Sequence, residues 1–126
     1  MHRSRLYALI IDAPQAEAGE ATAFWAAVFG AEVRTEPAEP EFTGLADVVP
    51  GLVTAVQSVD DAPRYHLDIE TDDVPAEVER LRGLGAAPVS RWGDCHVLRA
   101  PGGHLLCVIP VASDTELFES TATRWP

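Results

Sequence analysis

The chain carries one pattern twice, and that repeat limits what it can fold into. Tyr7-Ala8-Leu9-Ile10-Ile11 opens the first copy and Tyr65-His66-Leu67-Asp68-Ile69 opens the second. Each reads as a strand followed by a helical stretch. Those stretches close on Phe29-Gly30-Ala31 and on Leu84-Gly85-Ala86, and the return strands turn at Pro50-Gly51 and at Pro101-Gly102-Gly103. A period of roughly sixty residues is too long for a solenoid unit, and two copies are too few for one. Two βαβββ modules are the simpler arrangement. With 126 residues, 47% of them hydrophobic, the chain can bury one good core but not two independent ones. The expected fold class is therefore α+β, with curved mixed sheets and helices outside. Residues 1–113 are read as one domain, with modules at about 5–59 and 64–111, followed by an irregular tail at 114–126.

A net charge of −11 argues against nucleic acid, whose phosphates need a basic surface, and mildly favours a cationic ligand. No apolar run approaches the roughly 18 residues of a membrane span. Met1-His2-Arg3-Ser4-Arg5 leads straight into a strand with no apolar leader segment, so the chain is read as cytoplasmic. Both cysteines, Cys95 and Cys107, lie in the last hairpin. A turn centred on Gly102-Gly103 places Val97 opposite Val108 and displaces Cys95 from Cys107 along the ladder. Two reduced thiols are expected. No P-loop, dinucleotide fingerprint, zinc-finger spacing or serine elbow occurs.

Local signals place the elements. Asp12 reads as a helix N-cap with Gln15 as its box partner. Ala21, Phe24, Trp25, Val28 and Phe29 recur at helical spacing, which predicts one apolar face with Trp25 in the core. Gly30 suits the position just past a helix end. Asp73 and Pro75 open a second helix, on which Val74, Val78 and Leu81 share a face. Pro88 fits the start of a strand, and Leu117, Phe118 and Trp125 suggest that part of the tail packs.

Three blocks carry a family resemblance: Phe24-Trp25-Ala26-Ala27-Val28-Phe29-Gly30, His66-Leu67-Asp68-Ile69-Glu70-Thr71-Asp72-Asp73-Val74, and Ala100-Pro101-Gly102-Gly103-His104-Leu105-Leu106-Cys107-Val108. From Leu6 to Val111 the chain resembles the glyoxalase-like branch of the vicinal oxygen chelate superfamily, which includes bleomycin-resistance-like proteins. The resemblance implies paired βαβββ modules curled around a shared pocket. It also implies, in the family's enzymes, a divalent metal held by His and Glu from the first and last strands of each module. Relatives that sequester a drug keep the fold and form dimers.

Matched position by position, His66 is the one retained ligand. Ala8 stands at its counterpart in module one, Leu105 stands at the last-strand glutamate place, and Leu52 to Val56 offer no donor. No cofactor is expected; a divalent metal is the alternative if the register slips by one and His104 takes the glutamate place. Strand alternation puts His66 and Asp68 on one face, opposite Leu67 and Ile69, which should pack on the helices. Ala8, Ile10, Leu105 and Cys107 then form an apolar wall, with Trp92 as a stacking group at the rim. Cys107 as a nucleophile would need an activating base and positive charge. The favoured reading is a metal-free small-molecule-binding protein of the sequestering or resistance type. Its ligand would be apolar, planar or cationic, held by His66, Asp68, Trp92, Ala8, Ile10, Leu105 and Cys107. The open alternative is an enzyme, a lyase, isomerase or dioxygenase, either metal-dependent or using His66 and Asp68 for acid–base chemistry. A homodimer is expected, with Leu117, Phe118 and Trp125 as apolar groups that a second copy would cover.

Overall fold

The repeat is present in three dimensions. A computed structural model describes all 126 residues, with nine strands and three helices in a mixed α+β arrangement. In chain order these are β1 (His2–Pro14), a 3-10 turn (Gln15–Glu17), α1 (Ala18–Phe29), β2 (Val33–Thr35), β3 (Phe42–Leu45), β4 (Val53–Val59) and β5 (Arg64–Thr71). Then come α2 (Val74–Gly83), β6 (Ala87–Trp92), β7 (Cys95–Arg99), β8 (Leu105–Pro110), α3 (Thr115–Thr121) and β9 (Thr123–Trp125). Each copy thus runs strand, helix, three strands. No helix is long and apolar enough to cross a membrane. Contacts divide the chain into two compact units, residues 8–66 and residues 1–7 with 67–126, so the boundary falls inside β1 and inside β5.

In the unit of residues 8–66, β1 pairs parallel with β4, from Ala8↔Val53 to Pro14↔Val59, and β4 continues antiparallel to β3 and β2. The two-residue period of β1 sorts its side chains. Ile11 and Ala13 join Leu45 and Val56 in a core that α1 covers with Ala18, Ala21, Trp25 and Ala26. Ala8, Ile10 and Asp12 take the other face. The apolar stripe expected on α1 is rotated. Ala21 and Trp25 do pack, but Phe24, Val28 and Phe29 are exposed, with the Phe24 and Phe29 rings against that of Trp25. Alanines at 18, 21 and 26 bring the helix backbone close to the sheet, and that approach selects the small-residue side. Gly30 ends α1 at φ 62°, the left-handed conformation in which a side chain is strained.

In the other unit, β5 pairs parallel with β8 from Leu67↔Leu106 to Thr71↔Pro110, and β8 continues antiparallel to β7 and β6. Asp73 caps α2 as expected, accepting from the Ala76 N–H at 3.1 Å. The stretch expected to be an irregular tail forms α3, capped by Asp114, and β9, which pairs with the start of β1. Its aromatic groups are covered by their own chain. Phe118 is buried beneath the Arg3 guanidinium, 5.4 Å from the ring centre. Arg80 stacks 3.7 Å from the Trp125 ring centre, and Trp125 Nε1 donates to Ser4 Oγ at 2.9 Å.

Two fully buried carboxylates tie this unit together. Glu70 accepts from Arg5 Nη1 (2.6 Å), Ser113 Oγ (2.5 Å) and the Ala112 and Ser113 backbone N–H groups (2.7 and 2.9 Å). Glu77 meets His2 Nε2 at 2.8 Å and accepts from Arg80 Nε and Nη2 at 2.7 and 2.9 Å. Burial pushes the Glu77 pKa up, but hydrogen bonds from Arg80, His2 and Ser4 outweigh it and bring it down from 4.5 to about 2. A depressed folded pKa contributes stability that is complete above the unfolded value and disappears as pH falls through the folded one. Stability should therefore drop between pH 4.5 and about 2, by about 3 kcal/mol from Glu77. Urea denaturation across that range checks this, and Glu77→Gln should lower stability at pH 7 and flatten the acid limb.

Candidate functional site

The polar side of β5 is the buried side. His66, Asp68 and Glu70 are 8%, 9% and 0% exposed, while Leu67 is 43% exposed. The expectation that Leu67 packs on a helix is corrected: the face that turns inward is the one whose charged and polar groups find partners there.

Within residues 8–66, three strands converge on His66. The β1–β4 register sets Asp12 opposite Gln57. His66 Nε2 lies 3.2 Å from Gln57 Oε1 and 3.2 Å from Asp12 Oδ1. Both oxygens are acceptors, and Nε2 can offer at most one proton. The Asp12 contact is close enough for an ion pair but not aligned as a hydrogen bond, so the buried Oδ1 has no aligned donor. Its other oxygen, Oδ2, accepts from Arg64 Nε at 3.4 Å. Arg64 is itself 40% exposed and shared with Asp61. Ala8 and Ile10, buried and on the Asp12 face of β1, continue this surface as an apolar strip.

Asp12 and Gln57 were not among the candidates from sequence. Asp12 was read as a helix cap, whereas β1 runs on through Pro14, a 3-10 turn intervenes, and α1 begins at Ala18 with no side-chain cap. The available signal was parity: residue 12 shares the two-residue phase of Ala8 and Ile10. Gln57 directly follows the Leu52–Val56 stretch, which carries no donor.

In the unit of residues 1–7 and 67–126, Asp68 stands opposite Cys107 across the β5–β8 ladder, with donor atoms within 4.8 Å. The neighbouring Cys95 thiol, burial and the Asp68 carboxylate together hold the Cys107 thiol well above the usual range, so it stays protonated and is a poor nucleophile. No disulfide joins the two cysteines. The hairpin register differs by one residue from the expected one: Val97 faces Cys107, not Val108. The turn is the odd-length stretch 100–104, closed by Ala100 N donating to His104 O, with Gly102 and Gly103 both at positive φ. Leu105 opens β8 half-buried, and Trp92 ends β6 at 75% exposure. A separate open groove of about 420 Å³ lies among Val74, Pro75, Val78, Arg91, Asp94 and His96 and includes none of the candidate residues.

Two of the places that the resemblance assigns to metal ligands differ from the family's pattern. Ala8 and Leu105 carry no donor atom, and His104 is exposed in the turn before β8 instead of occupying a strand position.

The element order and the two parallel strand pairs define a glyoxalase-type α+β protein. Residues 8–109 match the family model described as "Glyoxalase-like domain", and the chain belongs to that family, within the vicinal oxygen chelate superfamily. Among solved structures, methylmalonyl-CoA epimerase from Mycobacterium tuberculosis is similar at 18% identity and TM-score 0.52, over 86% of this chain and 88% of that one. Methylmalonyl-CoA epimerase from Streptomyces coelicolor is similar at 14% identity and TM-score 0.54, over 86% and 98%. The Mn(II)-bound glyoxalase from Novosphingobium aromaticivorans matches at 16% identity and TM-score 0.58, over 87% of this chain and 40% of that one. At such identities the likeness is one of fold. No curated protein matches the chain.

The polar cluster around His66 has a measurable cost of disruption. His66→Ala should destabilise the protein by about 1–3 kcal/mol, because Gln57 loses its hydrogen bond and Asp12 its nearest positive or donating group. Urea denaturation at pH 7 checks this, with Tyr65→Ala, on the exposed face of β5, as a control expected to cost less.

Proposed function

We propose that this chain is a small-molecule-binding member of the glyoxalase-like family. In this reading its site is built on β1, β4 and β5 around His66. The single observation behind it is the surplus of buried acceptors: Asp12 Oδ1 and Gln57 Oε1 both lie 3.2 Å from one ring nitrogen, and Oδ1 has no aligned donor. A buried acceptor without a donor costs about 1–3 kcal/mol, and an incoming cationic or N–H-bearing group would relieve that cost. Ala8 and Ile10 supply apolar surface beside it, and the −11 charge raises the local concentration of a cation. The ligand class is thus a mainly apolar molecule, planar or compact, carrying a protonated amine or amidine. The protein holds it without transforming it.

A thermal-shift screen of apolar amines, amidines and uncharged isosteres tests this. The cationic members should raise the melting temperature in a concentration-dependent way, and their uncharged isosteres should not. Asp12→Asn should weaken binding of the best cation about tenfold, the loss of one charge-assisted hydrogen bond. Equal response to cations and isosteres, or none at all, would sink the reading. Conversion of a bound compound that disappears in His66→Ala would show an enzyme instead.

A further inference from the structure

The groove between α2 and the β6–β7 hairpin shares no residue with the site around His66. It lies wholly within the unit of residues 1–7 and 67–126. The two-residue period of β7 decides which side of the sheet it occupies. Val97 faces Cys107 across the β7–β8 ladder, so His96, paired with Val108, points to the opposite face. Arg91 on β6 pairs with His96 and shares that face. Asp94 follows in the two-residue turn Gly93-Asp94, which Gly93 makes possible at φ 56°. Val74, Pro75 and Val78, from the first two turns of α2, supply the rest of the lining.

The groove is open and holds about 420 Å³, a volume within the roughly 300–1,000 Å³ of small-molecule sites. Its lining is of three kinds. The two valines and the proline ring are apolar. Arg91 is a permanent cation whose Nε donates to Gly93 O at 2.8 Å; that bond steadies the guanidinium over the turn and leaves its terminal nitrogens for other acceptors. Asp94 is an exposed carboxylate, and His96 is a half-buried imidazole able to donate or accept.

We propose that this groove binds a free α-amino acid with an apolar side chain. Arg91 takes the carboxylate through its planar fork, with His96 as a further donor. Asp94 takes the ammonium, and Val74, Pro75 and Val78 cover the side chain. A simple amphipathic anion would satisfy Arg91 but bring its charge against Asp94, and an apolar amine would do the reverse. A zwitterion meets both signs at once. Having no net charge, it also approaches a chain of net charge −11 without the repulsion an anion meets. Both charged partners are exposed, and such pairs are individually weak, so the dissociation constant should lie near about 1 mM.

Amide proton–nitrogen NMR titration of the full chain with L-leucine tests the site. Amides within 74–78 and 91–96 should shift together and saturate. 4-Methylpentanoate lacks the ammonium, 3-methylbutylamine lacks the carboxylate and glycine lacks the side chain; each should bind there about fivefold more weakly or worse. Arg91→Gln and Asp94→Asn should each weaken leucine to the same extent, and an otherwise unchanged spectrum verifies that these surface variants are folded. No saturable shift in the groove by about 50 mM leucine overturns the proposal. So does an analogue lacking one charge that binds as tightly as leucine, or an affinity unchanged in either variant. Asp12→Asn should bind leucine like the parent chain, whereas a cation held beside His66 should shift amides within 8–66, so the two sites are scored separately.

Discussion

Each repeat closes by pairing its first strand in parallel with its last, and the placement of every candidate group depends on those two ladders. A parallel pair cannot be joined by a tight turn; the chain must leave, cross over and return. Here the crossover is one helix and a two-strand hairpin, which also supplies the cover for one sheet face. Once Ala8 is set against Val53, Asp12 is necessarily against Gln57. Once Leu67 is set against Leu106, Asp68 is against Cys107. A slip of one residue in either ladder would turn these side chains to the opposite face and dissolve both clusters.

That dependence explains what could and could not be read from the residues alone. The repeated strand–helix phrases, the cap at Asp73, the left-handed Gly30 and the shared face of His66 and Asp68 are all local, and local chemistry specifies them. The failures concern choices between two faces. Asp12 can cap a helix or extend a strand, and the extension prevails because the β1–β4 ladder runs on to Pro14↔Val59. On α1, both the large-residue and small-residue stripes have helical spacing; closeness to Ile11, Ala13 and Val56 decides for the alanines. The last hairpin turns on five residues, not on the two glycines, and that single residue brings Cys95 to the side of Cys107.

The buried charges separate by how completely they are answered. Glu70 has four donors and Glu77 has donors from Arg80 and His2, and both have pKa values below the ordinary range despite burial. Carboxylates so fully bonded are structural: they fasten the start of β1, α2 and the segment after β8 into one unit. Asp12 is equally buried, yet one of its oxygens has no aligned donor and the other relies on a half-exposed arginine at 3.4 Å. Asp12 Oδ1 and Thr54 Oγ1 are the buried side-chain atoms without a hydrogen-bond partner, and of the two only Asp12 is a carboxylate.

The repeat itself sharpens that contrast. By the register that aligns Tyr7 with Tyr65, Asp12 and Glu70 occupy the same position in the two modules, five residues past the tyrosine on the first strand. Each faces a residue of its module's last strand, Gln57 in one copy and Ile109 in the other. In the second copy the partner is apolar and the carboxylate is neutralised by Arg5, Ser113 and two backbone N–H groups, a closed arrangement. In the first copy the partner is a second acceptor, and Arg64, the arginine that reaches the carboxylate, leans out into solvent. A fold that needed this position only for stability would gain by answering both carboxylates alike. The asymmetry makes the second copy's carboxylate part of a closed structural network and leaves the first copy's Oδ1 without an aligned donor, the feature on which the proposed cationic ligand rests.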